Sequence, residues 1–416
     1  MRTHLGFILL IVGCAPGPAA TSTAYTSNDS GDEDDDDDAE TDADDSDPDG
    51  EGSSSPETTA TDSGESSGGE ESSSGGEAGG IPVLGDGTHS IDNVELTVIA
   101  TADDELSKPT DLAFNPEVAG ELWVTNNNTD SIVIIEQAGR AGQSSSRRNA
   151  GATSSHFLAR PSGIAFGMPG VMATSQQTDL PTQTTTPWDF MGPTLWTTDA
   201  SIFDAGDASH LDMLHNSPNS SGIAWESDNI YWVHDGEHGS LTRYDFNEDH
   251  GLAGTDHTDG EVYRFAAEEL GYEPGVASHV AFDHATGVVY CADTANNRIF
   301  ALDSTTGEIA GDLMPNYDGG IQRGVNGSTY GSMINGADMP APMLKPSGLE
   351  IHDSYIFVTD NETSIIFGFS MEGEVVDWLD TELAPGTLMG IAFDEDGSMF
   401  AVDAAGNRVL RIAARE

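Results

Sequence analysis

Residues 345–369 read KPSGLEIHDSYIFVTDNETSIIFGF, and three short runs within that stretch decide the fold. Residues 347–351 alternate small and apolar, 355–359 are aromatic and β-branched, and 365–369 are apolar again, with polar turns HDS and DNETS between them. Alternating runs of this length joined by tight polar turns predict an antiparallel meander, the unit of a β-propeller blade.

The same cassette recurs along the chain, and internal repetition sets the architecture before any single element does. Pro109-Thr110-Asp111-Leu112-Ala113-Phe114 leads into Leu122-Trp123-Val124-Thr125 and then 131–135. Further copies open at Pro161-Ser162-Gly163-Ile164-Ala165-Phe166, Ser220-Ser221-Gly222-Ile223-Ala224-Trp225 and Ala277-Ser278-His279-Val280-Ala281-Phe282. Lys345 begins the fifth, and Leu388-Met389-Gly390-Ile391-Ala392-Phe393 the sixth. Six sheets in a row would leave two edges open to pairing, whereas a ring removes them. Residues 94–100, VELTVIA, are the expected outer strand of the sixth blade, tying the N-terminal side to the C-terminus.

The cassette, P-S-G-I-A-F followed by xxWVTD and NxRI-F, resembles the NHL-repeat six-bladed propellers over roughly residues 90–416. The resemblance implies an all-β fold and leaves function open, because such propellers host unrelated activities. Two stretches interrupt the repeat. The first, 168–200, ends in Thr194-Leu195-Trp196-Thr197-Thr198-Asp199, which resembles the xxWVTD strand of the other copies, so the insertion is expected to loop out and return to complete its blade. The second, 312–344, carries Met314, Met333, Met339 and Met343 and is expected to pack as a lid over one face of the ring.

The domain organisation is read as a signal peptide at 1–14, a tether at 15–80 and the propeller at 81–416. The first residues, MRTHLGFILLIVGC, hold one Arg and an apolar run too short to span a bilayer. Ile11-Val12-Gly13-Cys14 resembles the bacterial lipobox, with Ile11 where Leu is usual. That resemblance implies acylation of Cys14, anchorage in the membrane through its lipid, and, with Ala15 next, a place at the outer membrane or cell surface. With Cys14 so used, Cys291 has no partner for a disulfide and is expected to be a small buried hydrophobe. Residues 15–80 are Ser, Thr, Gly, Asp and Glu with almost no apolar residues, the composition of a disordered spacer.

The formal charge is −58, and 21 of the 72 acidic residues fall between Asp29 and Glu77, where no basic residue occurs. The part beyond still sets 51 acids against 13 bases. Nucleic acid is thereby excluded as a partner, since binding it needs positive surface. A monomer that meets a protein or a small molecule on its loop face is the expected arrangement.

Eight of the twelve His residues lie between positions 209 and 284. Asp245, Asn247, Asp249 and Asp256 alternate like the oxygen ligands of a calcium loop, but His250 stands where such a loop turns on Gly. Alternatively, the steps Asp249-His250 and Asp256-His257, with His215 and His279, form a transition-metal or acid–base cluster. His215, Asp249, His250, Asp256, His257 and His279 are therefore the candidate metal ligands, for calcium or zinc, expected to converge on the channel axis from a loop between blades. The lyase domain of the peptide-amidating enzyme resembles these cassettes and holds zinc with His directly after the Pro. The matching positions here are Thr110, Ser162, Ser221, Ser278, Ser347 and Met389, so that site does not carry over; His279, one residue late, is expected to turn away from it. No residue of the gluconolactonase-type metal site maps here either. Two readings result: a lipid-anchored binding module at the cell envelope, or a metal-dependent hydrolase or lyase with a His/Asp site on the axis.

Overall fold

The computed structural model describes residues 80–150, 155–181, 190–205 and 210–415. The signal peptide, Cys14 and the acidic tether lie outside the described residues.

Six antiparallel blades follow the six cassettes. Blade 1 runs through Pro109–Phe114, Leu122–Asn126, Ser131–Glu136 and Ser144–Arg148, each strand pairing with the next. Blade 2 is built from Pro161–Phe166, Val171–Gln176, Thr194–Thr197 and His210–Met213. Blade 3 takes Ile223–Ser227, Ile230–Asp235, Ser240–Asp245 and Glu261–Phe265. Blade 4 takes Val280–Asp283, Val288–Asp293, Arg298–Asp303 and Thr329–Asn335, and blade 5 Pro346–His352, Tyr355–Asp360, Ile365–Ser370 and Val375–Asp380. Blade 6 consists of Leu388–Phe393, Met399–Asp403 and Arg408–Ala414, and its outer strand is Val94–Ala100 from the other end of the domain. The expected closure is therefore observed.

Packing also shows that the ring is closed. Six sheets in an open row would share five interfaces, but the described residues form six apolar clusters, one between every neighbouring pair. Leu112, Leu122 and Val124 of blade 1, for example, meet Phe400, Val402 and Val409 of blade 6. Trp232 and Phe265 of blade 3 meet Cys291 and Phe300 of blade 4. Each fully buried Leu, Val or Phe contributes about 1.5–3 kcal/mol by leaving water, so this core needs no disulfide. Cys291 is free and buried, as expected, and burial drives its thiol well above the ordinary range.

Hydroxyls add a second tie. Directly after the Pro of the cassette, Thr110 Oγ1 donates to the Pro161 carbonyl at 2.9 Å, and Ser162 Oγ to that of Ser220 at 2.8 Å. Ser347 Oγ donates to the Ala277 carbonyl at 2.7 Å. Each joins the inner strand of one blade to its neighbour, which satisfies backbone groups that the strand pairing leaves over.

Three expectations are corrected. In blade 2 the insertion does return to complete the blade, but Thr194–Thr197 is its third strand, not the counterpart of the xxWVTD strand; that place belongs to Val171–Gln176, after the Gly170 turn. Asp199, which made Thr194–Thr197 look like that counterpart, instead caps the helix Ala200–Ala205 by accepting the Ser201 amide at 2.9 Å. The 312–344 stretch is not a lid over a face. Glu308–Asp312 and Ile321–Asn326 form a hairpin that extends the outer edge of blade 3, Ile321–Asn326 lying parallel to Glu261–Phe265, and Thr329–Asn335 returns as the outer strand of blade 4. Finally, residues 246–260 do not connect blades. They join the third and fourth strands of blade 3, because Glu261–Phe265 pairs with Ser240–Asp245.

Candidate functional site: the axial channel

The inner strands touch one another in ring order and enclose a cavity of about 480 Å³ lined from all six blades. Alternation decides which side chains face it. The second and fourth cassette positions turn toward neighbouring blades, as the hydroxyl bonds and Leu112 show, so the third and fifth face the axis.

At the third position four cassettes carry Gly: Gly163, Gly222, Gly348 and Gly390. These glycines allow the inner strands to close tightly. A Cβ on Gly222 would stand 2.3 Å from the Ser278 carbonyl oxygen, and one on Gly348 2.2 Å from that of Met389. The other two cassettes carry Asp111 and His279, which reach across from blades 1 and 4. Their side chains approach to 3.3 Å, His279 Nδ1 to Asp111 Oδ1. A Cβ on Gly390 would lie 2.4 Å from Asp111 Oδ1 and 2.9 Å from His279 Cε1, so the three blades meet at one point. Asp111 is 7% exposed and His279 4%. Burial raises the Asp111 pKa, while the facing His279 and the amides of Ile164 and Leu112, each 2.9 Å away, hold it down. Nε2 of His279 is buried and has no hydrogen-bond partner.

The fifth position is Ala in five cassettes and Glu350 in the remaining one. Glu350 lines the channel, which is open to solvent, and is itself half-buried. Burial first, and the charge of Asp111 second, push its pKa up to about 8. At neutral pH it is therefore mainly a carboxylic acid, able to donate a hydrogen bond into the channel. One layer further out, Phe114, Phe166, Trp225, Phe282 and Phe393 form an aromatic wall, with His284 packed between Phe282 and Trp225 at 5.1 and 5.4 Å between ring centres.

The six predicted ligands divide among separate places. His279 faces the axis, where the cluster was expected to gather; its one-residue offset from the zinc position of the amidating enzyme does not turn it out of the channel. His215 pairs with Asp318 of the added hairpin, Nδ1 to Oδ1 at 2.6 Å. Asp249 and Asp256 accept amides of their own turns, from Gly251 and Thr258. His250 and His257 come together, not on the axis but at the outer wall, where Asp212 of blade 2 lies 2.7 Å from His257. His210 joins them there, with its ring centre 5.1 Å from that of His250; burial, then the neighbouring imidazoles, lower its pKa to about 3. The remaining His residues serve the fold: His234 bonds Ser221 and the Gly271 carbonyl, and His238 bonds Asp235.

Asp111, Glu350 and Asp212 were absent from the candidates. Asp111 and Glu350 differ from the residues found at the same position in the other cassettes, a signal present in the sequence. Asp212 has none, because only the packing of blade 2 against the blade 3 loop brings it near His257.

No known family profile and no curated protein matches the chain. Solved structures do. A Bacteroides thetaiotaomicron protein of unknown function aligns at a TM-score of 0.50 and 9% identity, over 77% of this chain and 76% of that one. An auxiliary nutrient binding protein from Bacteroides ovatus aligns at 0.49 and 14%, over 78% and 77%. A streptogramin B lyase aligns at 0.47 and 14%, over 78% and 99%. At these identities the likeness is one of fold: the chain is a six-bladed propeller.

Proposed function

We propose that the protein is a binding module of the NHL-propeller type, held at the cell envelope by lipid on Cys14, that takes a small molecule into its axial channel. The observation that carries this reading is the pairing of His279 Nε2, buried with no hydrogen-bond partner, with the Glu350 carboxyl of raised pKa, in a channel whose wall also holds five aromatic rings and five alanines. A few converging polar groups among aromatic and aliphatic side chains are the usual make-up of a small-molecule site, and the volume suits a compact ligand. An uncharged molecule with an apolar ring and a hydrogen-bond acceptor for Glu350 meets these requirements. The long acidic segment would then act as a spacer between lipid and ring.

A second reading is favoured by the Asp111–His279 pair, in which a carboxylate oxygen lies 3.3 Å from an imidazole nitrogen while an acid of raised pKa lines the same channel. That arrangement supplies a base and an acid for a lyase or hydrolase. His279 would withdraw a proton through Nε2 and Glu350 would give one to the leaving group.

Native mass spectrometry of the full chain purified from its own cells tests the first reading. Wild-type protein is expected to retain a bound small molecule, and Ala392→Leu, which fills the channel, to lose it; clean mass in both overturns the proposal. The acid–base reading requires His279→Ala to keep the unconverted molecule where wild type carries a changed one.

A further inference from the structure

We propose that Asp212, His250 and His257 form a zinc site, separate from the channel, that ties the 246–260 loop of blade 3 to the outer strand of blade 2. One ligand atom from each of the three lies within 4.8 Å of the other two. The side chains come from different elements: Asp212 from His210–Met213, the two imidazoles from opposite halves of a loop that has little regular structure of its own.

His250 is oriented as a ligand, and Asp212 and His257 are held beside it. His250 Nδ1 lies 2.6 Å from the Gly251 carbonyl oxygen, which can only accept, so this nitrogen carries the proton. Nε2 then keeps its lone pair, and that atom is buried with no hydrogen-bond partner. An N–H fixed on a backbone carbonyl with the opposite nitrogen free is how metal-bound imidazoles are held. Asp212 Oδ1 accepts the Met213 amide at 2.7 Å and meets His257 Nδ1 at the same distance, which fixes the carboxylate plane. The His250 and His257 rings stand 4.9 Å apart between centres, edge to face.

Two imidazoles and one carboxylate are the donors of a borderline-soft ion with short bonds of about 2.0–2.2 Å, which zinc makes and calcium, with its six to eight oxygens, does not. Without an ion, the buried Nε2 is an unsatisfied polar atom of a kind folding avoids. The site also answers a structural need. Asn247, Asp249 and Asp256 bond within the loop itself, so the contact of His257 with Asp212 is one of few that hold it to blade 2. An ion there does for this loop what a disulfide does elsewhere, in a chain with one cysteine in its propeller.

The test uses full-length protein stripped with chelator and titrated with zinc chloride alone, followed by calorimetry, metal analysis and thermal unfolding. One zinc per chain is expected, with a higher Tm and slower proteolysis within 246–260, since a ligand that binds only the folded state stabilises it. His250→Ala and Asp212→Asn should each weaken zinc binding by more than about 100-fold, and His279→Ala should bind as wild type does. His257→Gln, close in size, gives the same readout if either of the first two variants fails to fold. Wild-type protein that takes up no stoichiometric zinc, or wild-type affinity in His250→Ala, or zinc lost with His279→Ala, overturns the proposal.

Discussion

The axial channel and the wall between blades 2 and 3 both gather His and Asp residues, but the chain builds them in opposite ways. On the axis the backbone is the fixed part: inner strands are pressed together by Gly and Ala, and function enters where one of six equivalent positions departs from the rest. At the wall the side chains are the fixed part, and the backbone that carries them is a loop held by its own turns. A repeat can therefore vary its axis one residue at a time, at the cost of tolerating little added volume there. The wall tolerates volume but depends on its few cross-blade contacts.

The largest expected effect follows from that difference in rigidity. Gly390→Ala would place a Cβ 2.6 Å from the Asp111 Cα, which is backbone and cannot swing aside. A loss of about 3 kcal/mol or more is expected. Gly251 in the wall loop has φ +67 but nothing within 4 Å of an added Cβ, so Gly251→Ala should cost only about 1 kcal/mol. Denaturant unfolding of the two variants measures both. Comparable losses would mean that the axis is as pliable as the loop, and the contrast would fail.

Next comes the pH dependence of the channel. Glu350 holds its proton to about 8 in the folded protein, against an ordinary 4.5. Between those values the folded state binds a proton that the unfolded chain releases, so this contribution is complete below pH 4.5 and disappears as pH rises through 8. Asp111, also raised by burial, acts in the same direction. Glu350→Gln keeps the neutral form at every pH. Thermal scans should show the variant gaining on wild type from pH 5 to pH 8, by roughly 1–3 kcal/mol at the upper end. A constant difference across that range would place the Glu350 carboxyl in ordinary solvent.

The two regions also differ in how far they could be read from sequence. The ring was legible, because its signal is repeated six times and each copy constrains the others; even the closing strand Val94–Ala100 announced itself by apolar alternation. The axial residues were in view without being seen. Asp111 and His279 stand where four cassettes have Gly, and Glu350 where five have Ala, but matching the copies for likeness hides the positions at which they differ. Blade 2 misled for a related reason: Thr194–Thr197 looks more like a second strand than Val171–Gln176 does, and only pairing decides between them. The wall was half legible. A loop dense in His and Asp pointed to His250 and His257, whereas Asp249 and Asp256, sequence neighbours of those imidazoles, turn to their own backbone. Adjacent residues in a turn face different ways, so a pair in sequence is not a pair in space.

That last point yields the smallest effect and the sharpest separation. Asp256 is exposed, and its carboxylate accepts the amide and hydroxyl of Thr258 at 3.1 and 2.7 Å, which lowers its pKa. It closes a local turn and reaches neither Asp212 nor His250. Asp256→Ala is thus expected to leave both the unfolding midpoint and the zinc affinity unchanged. Asp212, on a different blade and far from the loop in sequence, should matter to the ion where Asp256, next to His257, does not. If Asp256→Ala abolished zinc binding while Asp212→Asn preserved it, the ion would be held within the loop by sequence neighbours. The wall would then have no part in it, and the cross-blade tie would be lost with it.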